Sequence, residues 1–420
     1  LTYAIIKISI DHKMAQPINF DKSLQKLQFI FRCSGLTFES KKLTKTHKLK
    51  KRCVYLLNFF WLNSDLIGGI YWFIDGIRTG KTFVELTYIA PCVTFSFLAD
   101  LKAMFMIHYE DYVCNLIDQL RELEIKHETV DEKFRKHEIN EDMILKNKTK
   151  RQNKNYYKDI LSLVLMLMFI TNPIILISLK YYQTKEVDLV LPFLILYPFD
   201  SHDIRYWPFV YIHQFWSGSI VLLNICGADN LLYVCCTYLG VQFRLLQHDI
   251  ENLIEKNYVS MYRESEEFQQ KFVKLVKWHK ELIRLSSMLE FIYAESTLIN
   301  FVSSSVMICL TGFNVINVAF VVTFLVFLSA SLMQIFMLCF FGDFLMKSVS
   351  LCMEVSHAVY NSKWYHLNVT SGKNLLIVLT RAQKPCKLTA FGFSDVSLKA
   401  FMSVSLTIST DFQEISGDSL

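Results

Sequence analysis

The sequence predicts an all-α polytopic membrane protein with seven transmembrane helices. The chain has 420 residues, of which 52% are hydrophobic and 14% aromatic, and only 13 Gly and 7 Pro interrupt its apolar runs. Its apolar side chains are collected in continuous blocks and are not spread at the spacing of a soluble core. About 20 apolar residues in a helix cross a hydrocarbon layer of about 30 Å. Blocks of roughly this length or longer lie at residues 53–74, 83–107, 160–179, 207–240, 291–312, 317–345 and, more weakly, 388–410.

Basic residues alternate between the two sides of these predicted spans. Thirty-seven of the 44 Lys and Arg residues lie in the first 52 residues and in the connections 108–159, 242–288 and 346–387. Cytoplasmic connections carry an excess of positive charge in membrane proteins. The alternation therefore predicts an inverted topology, with a cytosolic N-terminus and an extracellular C-terminus. A G-protein-coupled receptor has its N-terminus outside, so the charge distribution argues against that class.

Three other functional classes lack support in the sequence. The formal net charge is +5, but the basic residues do not form a patch with interleaved aromatic residues, which argues against nucleic-acid binding. The His and Cys residues do not have the spacing of a metal site, so no metal or other cofactor is expected. The sequence contains no nucleophile motif, and we therefore expect that the chain is not an enzyme.

Several charged residues lie inside the predicted spans, where a charge is costly and often functional. Asp65 is near the middle of the first span, where it either lines a water-filled cavity or pairs with another helix. Asp100 and Lys102 are interpreted as an interfacial pair at the cytosolic end of the second span. Asp229 and Glu295 also lie toward the cytosolic ends of their spans, and the same interpretation covers them.

Aromatic and methionine side chains are concentrated in several spans. Together they predict an apolar pocket that binds small lipophilic molecules by shape. The candidate ligand-binding residues are Phe95, Met166, Phe169, Tyr211, Phe215, Phe320 and Phe324. Polar groups such as Thr171, Gln214 and Ser304 would fix the orientation of the ligand. The alternative for each of these residues is a lipid-facing or helix-packing surface.

The seventh predicted span mixes hydroxyl groups with bulky apolar side chains. Its sequence SDVSLKAFMSVSLTIST at residues 394–410 is only weakly hydrophobic for a helix exposed to lipid. Thr407 and Ser409 would face water, and Ile408 would close the path by dewetting. Asp411, just beyond the span, would concentrate cations. The span is therefore a candidate pore lining, and the alternative is a marginal helix packed within the protein through its small residues.

Four segments of the chain carry a more specific pattern. LPFLILYPFD lies at 191–200 and YWPFVYIHQFW follows at 206–216. VSHAVYNSKWYHL lies at 355–367 and continues into LLIVLTRAQKPCKLTAFGF at 375–393. The first two segments look like an outer loop leading into the fourth span of the insect odorant receptors, and the last two closely resemble the final third of that family. Length, span number and inverted topology agree with the family over the whole chain.

This resemblance implies a ligand-tuned odorant receptor subunit. Family members assemble with a shared co-receptor subunit into heterotetrameric cation channels that small, volatile, lipophilic odorants open directly. The expected location is the plasma membrane of olfactory sensory neurons, with membrane lipid around the spans. By the same resemblance, the pore-facing residues are Val404, Thr407, Ile408 and Ser409. Asp411 and Glu414 depart from the family pattern, in which these positions are usually uncharged.

The resemblance also divides the chain into four segments. Residues 1–52 form a cytosolic N-terminal segment, and residues 53–240 carry spans one to four with an outer ligand pocket. Residues 241–387 form a cytosolic anchor region with spans five and six. Residues 388–420 contain the pore-lining seventh span and an extracellular tail. Two alternatives remain open, namely a gustatory-type receptor of the same architecture and a membrane transporter.

Overall fold

The computed structural model is helical through most of the chain that it describes. The described residues are 20–36, 38, 45–138, 174–175, 177–178, 181–182, 185, 189–193, 195–259, 266–317, 321–361, 373, 388–403 and 406. The helices of this part are α1 (Phe20–Ser34), α2 (Lys45–Arg78), α3 (Phe83–Thr87), α4 (Ala90–His108), α5 (Glu110–Glu138), α6 (Trp207–Val259), α7 (Glu266–Asn317) and α8 (Val321–Asn361). The described residues contain no β-strand, and one isolated antiparallel bridge joins Thr389 to Asp395.

Five helical segments in the described part are long and apolar enough to cross a membrane. They are Arg52–Arg78, Glu85–His108, Trp207–Gln247, Gln270–Gly312 and Phe327–Ser348. These segments coincide with the predicted first, second, fourth, fifth and sixth spans. The predicted third span falls almost entirely outside the described residues, and the predicted seventh span falls partly outside them.

Two of the helices are much longer than a membrane crossing requires. α6 has 53 residues and α7 has 52, so each is about 80 Å long at 1.5 Å per residue. The charged stretch 242–288, which the sequence predicts as a connection between spans, supplies the excess length. Its described residues form the end of α6 and the start of α7. Phe243 and Leu246 on this part of α6 are fully buried, as the apolar stripe of an amphipathic helix should be.

The chain groups into two compact units. Unit 1 comprises Leu1–Asn230, Ile299–Gln334 and Ile408–Leu420, and unit 2 comprises Leu231–Leu298 and Ile335–Thr407. In unit 1, a buried apolar cluster joins α2, α4 and α6 through Leu62, Leu98, Ala99, Ile220 and Ile225. Packing of these side chains holds the three helices together near the site described below.

A tight turn connects the first two membrane segments. Gly80 has a φ of 74°, a left-handed conformation that glycine adopts without strain. Thr82 then caps α3, because its hydroxyl accepts a hydrogen bond from the backbone N–H of Glu85. The Glu85 carboxylate in turn accepts from the backbone N–H of Thr82 at 2.9 Å. This capping box satisfies N–H groups that have no partner inside a helix.

Aromatic packing and a close backbone contact stabilise unit 2. Tyr233 of α6 stacks on Phe341 of α8 with ring centroids 4.5 Å apart. Beside this pair, Gly342 of α8 packs against the segment that contains Val396. A Cβ atom added at Gly342 would lie 2.4 Å from the carbonyl oxygen of Val396. The absence of a side chain at this position therefore permits the contact.

We expect Gly342→Ala to destabilise the protein by about 1–3 kcal/mol, because the added methyl group forces backbone atoms apart. The measurement is the thermal unfolding midpoint of the purified chain in detergent. Gly218→Ala is the matched control, since its added Cβ would lie 3.6 Å from the nearest atoms, at ordinary contact distance. Equal midpoints for the two variants would contradict the prediction.

Candidate functional site

Unit 1 contains a cavity of about 200 Å³. Residues of α2, α4, α6 and α8 line it, together with residues from the segment that precedes α6. Most of the lining side chains are aliphatic or aromatic. Among its polar lining residues are Asp65, Gln214, Asp229 and Gln334. A mainly apolar cavity with a few polar groups is the usual form of a site for small molecules.

The sequence prediction of an apolar pocket agrees in part with this cavity. Phe95, Tyr211 and Phe215 line it. Phe324 is buried, and its ring lies 5.7 Å from that of Tyr88, but it does not line the cavity. The other predicted ligand-binding residues lie outside the described part of the chain, namely Met166, Phe169 and Phe320.

The polar groups proposed for orienting a ligand have different surroundings. Gln214 lines the cavity. Ser304 is buried but does not line it, and Thr171 lies outside the described residues. The predicted pore residues also lie outside them, namely Val404, Thr407, Ile408, Ser409 and Asp411.

The segment before α6 covers one end of the cavity and is held by hydrogen bonds. The Gln214 side chain is fully buried; its oxygen accepts from the backbone N–H of Phe193 at 2.9 Å, and its nitrogen donates to the Phe193 carbonyl at 3.2 Å. The backbone N–H of Leu196 donates to the carbonyl of Gly68 on α2 at 3.2 Å. Gly68 permits this approach, since a Cβ there would lie 2.4 Å from the Ile195 side chain.

Asp65 belongs to a polar cluster at the same end of the cavity. Its Oδ1 atom lies 2.9 Å from Nδ1 of His213 on α6 and accepts from the Tyr197 hydroxyl at 3.4 Å. Burial raises the pKa of the Tyr197 phenol well above its ordinary value, and the negative charge of Asp65 raises it further. Tyr197 is therefore protonated at neutral pH and acts as a donor. The sequence hypothesis that Asp65 pairs with another helix is confirmed by its contact with His213 of α6. Asp65 also lines a cavity, and a water-filled cavity stays a prediction.

A second polar cluster lies farther along α6. Nζ of Lys102 contacts Oδ1 of Asp229 at 2.5 Å, and both side chains are almost completely buried. Gln334 of α8 donates to Oδ2 of Asp229 at 3.5 Å and to the Asn300 side chain at 3.0 Å. This cluster connects α4, α6, α7 and α8. Sixteen residues of α6 separate His213 from Asp229, which corresponds to about 24 Å along the helix.

The sequence interpretation of Asp100 and Lys102 as an interfacial pair needs correction. The two residues have partners on different helices, because Asp100 accepts a hydrogen bond from Asn63 of α2 at 2.9 Å and Lys102 pairs with Asp229 of α6. Lys102 and Asp229 are 1% and 3% exposed, so the charge of Lys102 is paired inside the protein with Asp229 and not with Asp100. Charges two residues apart on a helix point in different directions, which explains the difference.

Several lining residues were not singled out from the sequence. They are Pro192, Phe193 and Ile195 before α6, and Phe327, Met333 and Gln334 on α8. Phe327 stacks on Phe95 with ring centroids 5.9 Å apart. The residues on α8 follow helical spacing, which would have indicated one face of that helix. The segment before α6 has no such periodicity.

A family model described as 7tm odorant receptor matches residues 82–407 of this chain. The chain belongs to this family. Odorant receptor 67c of Drosophila melanogaster is 27% identical over 362 residues, and the match covers 84% of each protein. Odorant receptor 85b of the same species is 29% identical over 238 residues, which cover 56% of this chain and 58% of that receptor.

Solved insect olfactory receptors have the same fold as this receptor. The structure of olfactory receptor OR5 from Machilis hrabei matches with a TM-score of 0.74 and 15% identity, over 94% of this chain and 97% of that one. The same receptor in complex with eugenol matches with a TM-score of 0.75 and 15% identity, over 95% and 98%. The predicted seven-helix membrane fold is thereby confirmed. Family membership confirms the predictions of an odorant receptor that spans the membrane several times and is not an enzyme.

Proposed function

We propose that this receptor is the ligand-tuned subunit of a ligand-gated cation channel, and that a small lipophilic odorant binds in the cavity of unit 1. The observation that supports this proposal is the mainly apolar cavity of about 200 Å³. The size and lining suit a compact apolar molecule. The match to the eugenol-bound olfactory receptor supports an odorant of that size as the ligand.

Phe95, Tyr211 and Phe215 would supply the aromatic walls of the ligand site, since all three line the cavity. Met166, Phe169 and Phe320 would complete the proposed site, whereas Phe324 does not line the cavity and is not included in it. Ligand contact with α4, α6 and α8 at once would couple occupancy to the arrangement of these helices. Only a ligand that binds the open state more tightly shifts the channel toward it.

The proposed pore is formed by the seventh span, with Val404, Thr407, Ile408 and Ser409 facing the conduction path. Ile408 closes the path in the absence of ligand, and Asp411 attracts cations at its mouth. The proposed channel is a heterotetramer with the odorant co-receptor subunit. In the orientation that the basic residues predict, the segment before α6 faces the outside of the plasma membrane of olfactory sensory neurons.

We expect whole-cell cation currents in cells that express this receptor together with the co-receptor, when a panel of small lipophilic odorants is applied. Phe215→Ala should raise the half-maximal odorant concentration roughly tenfold or more, because the ligand loses its contact with an aromatic wall of the cavity. A tenfold change corresponds to about 1.4 kcal/mol of binding free energy. Phe209→Ala is the matched control on the same helix, since Phe209 is 73% exposed and does not line the cavity.

Surface delivery of each variant is measured in parallel by labelling of an extracellular tag. Absence of current from the wild-type receptor at normal surface density, across the whole panel, would overturn the channel proposal. Equal shifts for Phe215→Ala and Phe209→Ala would overturn the proposed ligand site and leave the channel proposal standing.

A further inference from the structure

Asp65 is a buried carboxylate, and within the described part of the chain its two oxygens differ in whether they have a partner. The residue is 7% exposed and lines the cavity. Both of its contacts, with His213 and with Tyr197, are made by Oδ1. Within the part of the chain that the structure describes, no group donates a hydrogen bond to Oδ2. A carboxylate oxygen that lines an apolar cavity and has no protein donor is well suited to accept a hydrogen bond from a ligand.

His213 of α6 already faces the carboxylate of Asp65. Its Nδ1 atom lies 2.9 Å from Oδ1 of Asp65 and 3.2 Å from the Tyr197 hydroxyl oxygen, and its Nε2 atom lies 3.0 Å from the Ser64 hydroxyl oxygen. The basic partner of Asp65 is thus on the side of Oδ1. A neutral donor at Oδ2 brings no further charge into the mainly apolar cavity, whereas a cation would lose its hydration there.

The amide and carboxylate groups elsewhere in the cavity offer no equivalent charged acceptor. The Gln214 amide is already bonded to Phe193 through both of its ends. Both oxygens of Asp229 accept hydrogen bonds, one from Lys102 and one from Gln334. The amide nitrogen of Gln334 donates to Asp229 and Asn300, which leaves the Gln334 carbonyl as a weaker, neutral acceptor. Of the two carboxylates among the described lining residues, Asp65 is thus the one with an oxygen that accepts no hydrogen bond.

We propose that the receptor selects apolar odorants that carry a hydroxyl group, and that Oδ2 of Asp65 accepts the hydroxyl proton. This inference rests on the proposed function, because it assumes that the cavity of unit 1 is the odorant site. The apolar part of the ligand lies against Phe95, Phe215 and their neighbours, while the hydroxyl lies at the end covered by the segment before α6. An analogue of equal shape without the proton leaves Oδ2 unsatisfied and binds less tightly.

The test compares matched compounds on the full chain in lipid nanodiscs by scintillation proximity. The panel consists of tritiated alcohols and phenols, each paired with the analogue in which fluorine replaces the hydroxyl, for example 4-propylphenol and 1-fluoro-4-propylbenzene. Fluorine is close to a hydroxyl in size and has no proton to donate. We expect the hydroxyl compounds that bind to do so roughly tenfold to a hundredfold more tightly than their fluoro partners, because the acceptor is charged.

Three variants test whether Asp65 causes the preference for hydroxyl compounds over fluoro compounds. Asp65→Leu should make each pair bind equally, with the affinity of the fluoro compound retained, which shows that the variant is folded. The double variant Asp65→Leu with His213→Leu should behave in the same way. It also removes His213, which the single variant leaves without its carboxylate partner. Asp75→Leu removes an exposed carboxylate from the same helix that does not line the cavity, and the preference should persist.

Equal binding of each pair to the wild-type chain would overturn the inference while leaving the cavity as an odorant site. A preference that persists in both Asp65 variants would also overturn it, since another group would then carry the selection. Absence of binding by every compound would overturn the proposed site itself, and the inference with it.

Discussion

Lys102→Met is expected to destabilise the receptor by about 3–5 kcal/mol, which is the range for breaking a buried ion pair by removing one partner. Lys102 and Asp229 are 1% and 3% exposed. The substitution leaves the Asp229 carboxylate buried within a membrane-spanning segment with the neutral Gln334 amide. The measurement is the thermal unfolding midpoint of the purified chain, monitored by the loss of the monodisperse peak in size-exclusion chromatography.

Two comparisons separate this effect from a general effect of losing a lysine. Lys102→Met combined with Asp229→Leu should recover most of the lost stability, because no unpaired charge remains. Lys347→Met breaks an exposed i,i+4 pair with Asp343, in which the lysine side chain is 68% exposed, and should cost less than about 1 kcal/mol. A double variant as unstable as the single variant would show that the charge of Asp229 is not the cause.

The membrane segments were predictable from the sequence because lipid imposes a length. The second span, predicted at 83–107, lies at Glu85–His108, and the sixth, predicted at 317–345, has its apolar segment at Phe327–Ser348. The extension of the helices beyond the length of a membrane crossing was less predictable. The charge in 242–288 predicts a connection between spans, but it does not show whether the helix ends there.

The facing of side chains within the spans was much harder to predict. Lipid is as apolar as a protein core, so an apolar helix in a membrane carries little periodic signal for its buried side. Phe95 lines the cavity while Phe97, two residues later, is 56% exposed. Both are equally hydrophobic in the sequence. The polar residues were more informative, since the cost of burying Asp65 correctly indicated a special environment.

Contacts between residues on different helices could not be predicted from the sequence for a related reason. Asp65 contacts His213 and Tyr197, which lie more than 130 residues away along the chain. No local pattern encodes such a pairing. The segment before α6 is a further example, because its position over the cavity depends on Gln214 bonding to the backbone of Phe193. Backbone groups carry no residue identity that a sequence pattern can reveal.

Gln214→Leu is expected to release the segment before α6 from the cavity. The substitution leaves the backbone N–H and C=O of Phe193 without the partners that they have in the wild-type chain, at a cost of about 1–3 kcal/mol for each buried group. The segment avoids this cost by moving its backbone to water, so the effect is local opening. Hydrogen exchange at the amides of Phe193, Ile195 and Leu196 should be faster by roughly tenfold to a thousandfold.

Gln214→Glu separates the two hydrogen bonds. Glutamate retains an oxygen for the Phe193 N–H and loses the donor to the Phe193 carbonyl, so exchange at Phe193 should increase less than in Gln214→Leu. Ligand binding should weaken in the same order, because the segment contributes Pro192, Phe193 and Ile195 to the cavity wall. Unchanged exchange in Gln214→Leu would show that other contacts, such as the bond from Leu196 to Gly68, hold the segment. The cavity would then be closed by backbone contacts alone, and the burial of Gln214 would need another cause.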